Sequence, residues 1–168
     1  MRRMLAEMLV KKVVLLAEDD HSHEALFRRA VDLSAVSCRL DVVRDGVEVI
    51  DYLFGMGEHA GRERRNLPDL ILLDLNMPRM NGIQVLKVLR RVCWEDRSRV
   101  PPVVVLTGSY DDHDVAEAYQ WGAQSYICKP GSFPELAHAV RETLDYWLGL
   151  NRSVRREPLG VPVAPERR

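Results

Sequence analysis

Three short apolar runs restrict the fold of this chain more than any other feature: "VVLLA" at Val13–Ala17, "LILL" at Leu70–Leu73 and "VVVL" at Val103–Leu106. Each is too short to be a helix and has no polar residue on alternate positions, so each reads as a strand covered on both faces. The segments between them carry helical spacing instead. Ser22 is a candidate cap for a helix over about His23 to Leu33, with Leu26, Ala30 and Leu33 on one face. Leu40–Val43 is a second strand, and Asp45-Gly46 turns into a helix over Val47–Phe54. A third strand spans Asp69–Asp74, followed by a helix from Ile83 to about Val92 with Ile83, Leu86 and Leu89 inward. After the fourth strand, Asp111–Trp121 forms a helix with Val115, Ala118 and Tyr119 inward, "SYICKP" a short fifth strand, and Ser132 or Pro134 starts a last helix reaching Leu148. Strand and helix alternating five times predict an α/β fold, a doubly wound five-stranded parallel sheet, because right-handed crossovers permit little else.

The 168 residues suit one domain with a full core, and an apolar fraction of 46% with 29% charged residues is that of a soluble globular protein. A net charge of −1 gives no general attraction to nucleic acid or to an anionic membrane. The arginines at 62, 64 and 65 and at 152, 155 and 156 read as solvated surface. The three cysteines, Cys38, Cys93 and Cys128, are scattered without a CxxC spacing, which fits a reducing, cytoplasmic setting. In the N-terminal stretch Glu7 and Lys11-Lys12 break the apolar run, so it is not read as a signal peptide or a membrane span. Residues 1–11 are read as an extension and 149–168, with three prolines and no periodicity, as a tail.

In a doubly wound sheet, ligands bind beyond the carboxyl ends of the strands, where the strand order reverses. At those ends stand Glu18, Asp19 and Asp20 after the first strand, Asp74 after the third, Thr107 and Ser109 after the fourth, and Lys129-Pro130 after the fifth. Converging carboxylates repel, which a hard divalent cation such as Mg²⁺ relieves through oxygen ligands. Such a site can transfer a phosphoryl group in line to a carboxylate of Asp74, with Lys129 holding the remaining phosphoryl oxygens and Thr107 donating its hydroxyl. Asp20 is assigned to capping the first helix. His21 and His23 do not share a face and are not read as a metal clasp. Ser109 with His113 lacks the strand-turn-helix elbow of a serine nucleophile.

The four stations "LLAEDD", "LILLDLNMPRMNG", "VVVLTGS" and "YICKP", in this order over about Lys12 to Leu148, resemble the receiver domain of two-component response regulators. The resemblance implies a flavodoxin-like receiver fold over residues 12–148 with strand order 2-1-3-4-5. It implies Asp74 as phosphoacceptor and Mg²⁺ held by Glu18, Asp19, Asp74 and the backbone carbonyl of Asn76. It further implies Thr107 and Tyr126 as a switch pair and Lys129 as the lysine of the phosphate site. The long loop before the third strand and the "LDLNMPRMNG" segment look most like stand-alone regulators paired with phytochrome histidine kinases. The partner implied is therefore a histidine kinase of the phytochrome kind. A homodimer is implied through the fourth helix, fifth strand and fifth helix, or through the "PLGVPVAP" tail, which a disordered tail would not support. Too few residues follow Leu148 for a helix-turn-helix module, so DNA is not an expected partner, and no apolar segment is long enough to span a membrane, so a membrane is not one either. A competing class, the aspartate-nucleophile phosphatases, resembles a "DxD" at the nucleophile; Asn76 stands where its second acid would be.

Overall fold

The computed structural model describes residues 12–62, 66–92 and 100–152. In chain order these form β1 (Lys12–Ala17), α1 (His21–Asp32), β2 (Cys38–Val43), α2 (Gly46–Phe54), a short 3₁₀ turn at Gly57–His59, β3 (Leu70–Leu73) and α3 (Gly82–Val92). Then come β4 (Val103–Thr107), α4 (Asp112–Gln120), β5 (Ser125–Cys128) and α5 (Phe133–Leu144), extended by a π-helical turn over Asp145–Leu150. The strands form one parallel sheet in the order β2-β1-β3-β4-β5. This is the flavodoxin-like receiver fold expected from the sequence.

Alternation of side chains along each strand divides the core in two. Leu15, Ala17, Ile71, Leu73, Val103 and Val105 pack with α2, α3 and Ala118 of α4 on one face. Val14, Leu16, Leu70, Leu72, Val104 and Leu106 pack with Phe27, Ala30 and Val31 of α1 and Leu136, Val140 and Leu144 of α5 on the other. That is why the three apolar runs show no polar alternation: both faces are covered.

Some boundaries and faces differ from the sequence expectation. Helix α1 begins at His21, two residues early, because Asp20 is its cap: Oδ1 accepts from the amides of Ser22 at 2.7 Å and His23 at 3.0 Å. Ser22 thus lies inside the first turn, and the buried stripe runs through Phe27, Ala30 and Val31, leaving Leu33 64% exposed beyond the helix end. Tyr119 is exposed as well; its hydroxyl accepts from the amide of Tyr126 at 3.2 Å at the sheet edge. The last α-helix stops at Leu144, and Trp147 and Leu148 reach the core from the π-helical turn. The N-terminal extension, Cys93, Trp94, Arg64, Arg65, Arg155, Arg156 and the tail from residue 153 onward lie outside the described residues.

The strand register fixes where the carboxyl ends meet. Ala17 is level with Val43 and Leu73, Leu73 with Val105, and Thr107 with Cys128. The chain leaving each strand is tied to its neighbour by Glu18 N–H to Val43 O at 3.0 Å, Asp74 N–H to Ala17 O at 3.1 Å and Lys129 N–H to Thr107 O at 2.7 Å.

Truncation of Leu72, only 1% exposed at the centre of the sheet, should cost about 2–5 kcal/mol as Leu72→Ala, since the rigid strands around it cannot close the cavity. Leu33→Ala should change stability by no more than about 0.5 kcal/mol. Urea unfolding of the two variants beside the parent measures both.

Candidate functional site

Two apolar strands side by side, β1 and β3, deliver acids at one edge. Glu18 is 1% exposed and Asp74 6% exposed, so both charges sit in a poorly solvated place and require partners. Lys129, carried in by the loop after β5, supplies one. Its Nζ donates to Glu18 Oε2 and to Asp74 Oδ2, each at 2.6 Å, across 111 and 55 residues of sequence. Burial pushes the Lys129 ammonium down, but its bonds to Asp74 and Glu18 outweigh this, and its pKa is raised above the ordinary lysine value.

The remaining oxygens are held by backbone and side chains close by. Asp74 Oδ1 accepts from the amide of Asn76 at 3.1 Å. Glu18 Oε1 accepts from the amide of Asp20 at 3.3 Å and lies 3.3 Å from His23 Nδ1. The Glu18 carbonyl accepts from Arg44 Nη1 at 3.3 Å, and Arg44 also pairs with Glu24. Gly82, at the start of α3, passes so close to the acceptor strand that an added Cβ would stand 2.5 Å from the Asp74 carbonyl oxygen. Only glycine fits there without moving backbone.

Asp19 completes an acidic group. Glu18, Asp19 and Asp74 can each offer a carboxylate oxygen with all of these within 4.8 Å of one another. Three carboxylates against the single Lys129 ammonium leave two formal negative charges, and every donor is a hard oxygen. Charge and donor type both fit a hard divalent cation such as Mg²⁺.

Thr107 is fully buried at the end of β4, and its Oγ1 accepts from the Ser109 amide at a long 3.5 Å. Tyr126, on edge strand β5, is half-buried; its hydroxyl donates to the Ser109 carbonyl at 3.1 Å, and burial raises its pKa. Ser109 Oγ donates to Asp114 at 2.6 Å, so among the described residues its side-chain partner is an acid of α4 and not His113. Glu18, Asp74 and Lys129 therefore meet directly, Asp19 joins them as a possible ligand, Asn76 touches Asp74 through its amide, and Thr107 and Tyr126 meet at Ser109.

Sequence reasoning set His23 aside as a metal ligand without giving it a partner, and missed Arg44, Asp45 and Arg79 as neighbours of this site. His23 reaches Glu18 because the Asp20 cap starts α1 early. Arg44 follows the end of β2, the strand beside β1, and its position was the one available signal. Asp45 and Arg79 meet across 34 residues, which no local pattern marks.

Residues 14–141 match the family described as the response regulator receiver domain. The chain is 41% identical over 141 residues to the Probable methanogenesis regulatory protein FilR2 of Methanothrix harundinacea, covering 84% of this chain and 86% of that protein. It is 34% identical over 137 residues to response regulator Rcp1 of Synechocystis sp., covering 82% and 89% respectively. The crystal structure of the Mn²⁺-bound form of Rcp1 overlays with a TM-score of 0.74 over 85% of this chain and 99% of that one, at 31% identity. The phosphorylated cyanobacterial phytochrome response regulator RcpA overlays with a TM-score of 0.75 at 33% identity, over 86% and 99%. A carboxylate edge of this composition, on a sheet of this order, across a match of this length, makes the chain a member of the response regulator receiver domain family of two-component systems.

Proposed function

We propose that this protein accepts a phosphoryl group from a histidine kinase on Asp74, in a Mg²⁺-dependent reaction, and signals through altered protein contacts. The single observation that carries the reading is the Lys129 ammonium held 2.6 Å from both Glu18 and Asp74. A buried lysine shared by two carboxylates suits a site that must tolerate further negative charge when a dianionic group arrives.

Glu18, Asp19, Asp74 and the Asn76 carbonyl are the residues that would hold the ion. Bound there, it supplies positive charge against the phosphoryl oxygens and allows two anions to approach. A carboxylate oxygen of Asp74 attacks phosphorus in line; the bond from phosphorus to the kinase imidazole breaks as the bond to Asp74 forms. Lys129 turns from the free carboxylate to the new phosphoryl oxygens, a point charge on a flexible stem. Asn76, not a second acid, stands two residues beyond the acceptor, and this favours a persistent acyl phosphate over turnover of phosphate esters. The chain is thus read as a phosphoacceptor that catalyses only its own phosphorylation and dephosphorylation.

The output is a population shift. The Thr107 hydroxyl donates to the phosphoryl group, the Ser109 segment follows, and the Tyr126 hydroxyl gives up its bond to the Ser109 carbonyl. The face that changes is α4-β5-α5, where Tyr119 is exposed and Tyr110 lines an open groove with Cys128, Pro130, Pro134 and His138. A homodimer through this face, through the tail, or both is the assembly that the reading favours. A phytochrome-type histidine kinase is the donor it favours, since RcpA is a cyanobacterial phytochrome response regulator. The divalent cation is supported by the Mn²⁺-bound form of Rcp1. A cytoplasmic setting fits both, and among the described residues no helix is long and apolar enough to cross a membrane.

Incubation with acetyl phosphate and Mg²⁺ should add the mass of one phosphoryl group to the intact protein. Asp74→Asn should abolish the gain; a gain that survives in that variant rejects Asp74 as acceptor. Glu18→Gln, which keeps an oxygen for the Asp20 amide but removes a charge, should weaken Mg²⁺ binding at least about tenfold by titration calorimetry. Chelation with EDTA should abolish labelling of the parent chain, and labelling that continues unchanged refutes the metal requirement.

A further inference from the structure

The loop after the acceptor, residues 75–81, carries Asn76 and is gripped from a distant part of the chain. Asp45 caps α2: its Oδ1 accepts from the amides of Val47 at 2.8 Å and Glu48 at 3.0 Å. Its other oxygen, Oδ2, accepts from Arg79 Nε at 2.6 Å, and Arg79 Nη2 also pairs with it and, at 3.5 Å, with Glu48. Asp45 is only 4% exposed, so its charge has little access to water. Two backbone amides and one guanidinium are the partners the fold provides for it.

The backbone of Arg79 is the second observation. Its φ is +60°, the only positive value at a non-glycine among the described residues. A β-carbon is strained in this left-handed conformation, and it persists only where the surroundings impose it. The surroundings here are the α2 N-terminus: Gly46 N–H donates to the Met80 carbonyl at 3.0 Å. A Cβ on Gly46 would stand 2.4 Å from that same oxygen, so the two segments are in direct contact. The other end of the loop is closed by Gly82 N–H to the Leu75 carbonyl at 3.0 Å. Asn76 lies between these ties, with its amide on Asp74 Oδ1 at 3.1 Å.

We propose that the Asp45–Arg79 pair is a latch that sets the position of the Asn76 loop and thereby the affinity of the Glu18–Asp19–Asp74 site for a divalent cation. Both are positioning residues acting through the loop. The proposal rests on the metal reading given above. It extends the site to the far side of β1, because α2 follows β2 at the sheet edge and meets the loop after the acceptor through this pair and through the Gly46 N–H on the Met80 carbonyl.

Substitutions can separate the charge from the strain. Arg79→Gly suits a φ of +60° and removes the guanidinium with the rest of the side chain without straining the backbone, so the fold should survive. Asp45→Asn keeps an oxygen for the helix cap and removes the carboxylate charge. Titration calorimetry with MgCl₂ on the full chain should give dissociation constants raised about tenfold for each, as for other outer partners of metal ligands. The double variant should be no weaker than either single one, because both break one contact. Arg79→Lys should recover part of the loss. Thermal unfolding in EDTA should show Arg79→Gly within a few degrees of the parent, which separates loss of the latch from loss of fold. Mg²⁺ affinities within twofold of the parent for Arg79→Gly and Asp45→Asn, or losses that add in the double variant, overturn the latch while leaving the metal reading intact. A parent chain that takes no Mg²⁺ overturns both.

Discussion

Everything at the carboxyl edge of the sheet depends on how two buried carboxylates tolerate each other. Glu18 and Asp74 end adjacent strands, so the ladder that aligns Ala17 with Leu73 also forces their side chains into one poorly solvated corner. The Lys129 ammonium between them resolves the repulsion with two 2.6 Å bonds. Such a triad contributes little net stability, since desolvating each ion costs several kcal/mol, yet removing one member leaves a charge stranded. A fold selected only for stability would gain by replacing these residues with apolar ones. Their presence at the ends of β3 and of a β1 that is apolar from Val13 onward is what supports the proposed role of this edge.

Much of this was legible in the sequence because the responsible forces are local. The continuous apolar runs of β1, β3 and β4 identify buried strands without reference to anything distant, and the acids and Thr107 follow directly from where those runs stop, while Lys129 follows the short fifth strand. The third-helix pattern Ile83, Leu86, Leu89 is likewise local, and all three are buried. What failed was competition between nearby choices. Asp20 caps α1 as assigned, accepting two amides at once, but the helix then begins at His21 and not at His23, with Phe27 in its buried stripe and Leu33 beyond its end. Tyr119 was assigned inward on periodicity, but α4 packs on the sheet next to its edge strand, and there a tyrosine can lie across the edge with its hydroxyl on the Tyr126 amide.

The partners that were missed share another cause. Arg44 reaches the Glu18 carbonyl and Glu24 of α1 from the end of β2, Asp45 and Arg79 meet where α2 approaches the loop after β3, and nothing in a local window reports either approach. One trace was present in retrospect. Asp45-Gly46 reads as an ordinary turn, but here the glycine is required by the Met80 carbonyl against it, and the aspartate does two jobs, capping a helix and binding a guanidinium. A turn dipeptide says that the chain bends; it does not say what the bend is pressed against.

The gradient of burial across the sheet bears on how the proposed signal would leave the site. The central strands are rigid by packing: every residue of β3 and β4 is buried, Thr107 included. β5 is half-buried along its whole length, and Tyr126 sits there with its hydroxyl on a loop carbonyl rather than on a core atom. A group arriving at Asp74 can therefore displace little in the middle of the sheet, where close packing resists movement. The proposed rearrangement would run outward through the Thr107–Ser109 segment to β5, the edge strand beside β4 whose side chains are only half-buried. In the proposed function, chemistry and response would be separated by packing density, the former needing fixed carboxylates and the latter a loose edge, and the order 2-1-3-4-5 puts both within reach of the same lysine-bearing loop.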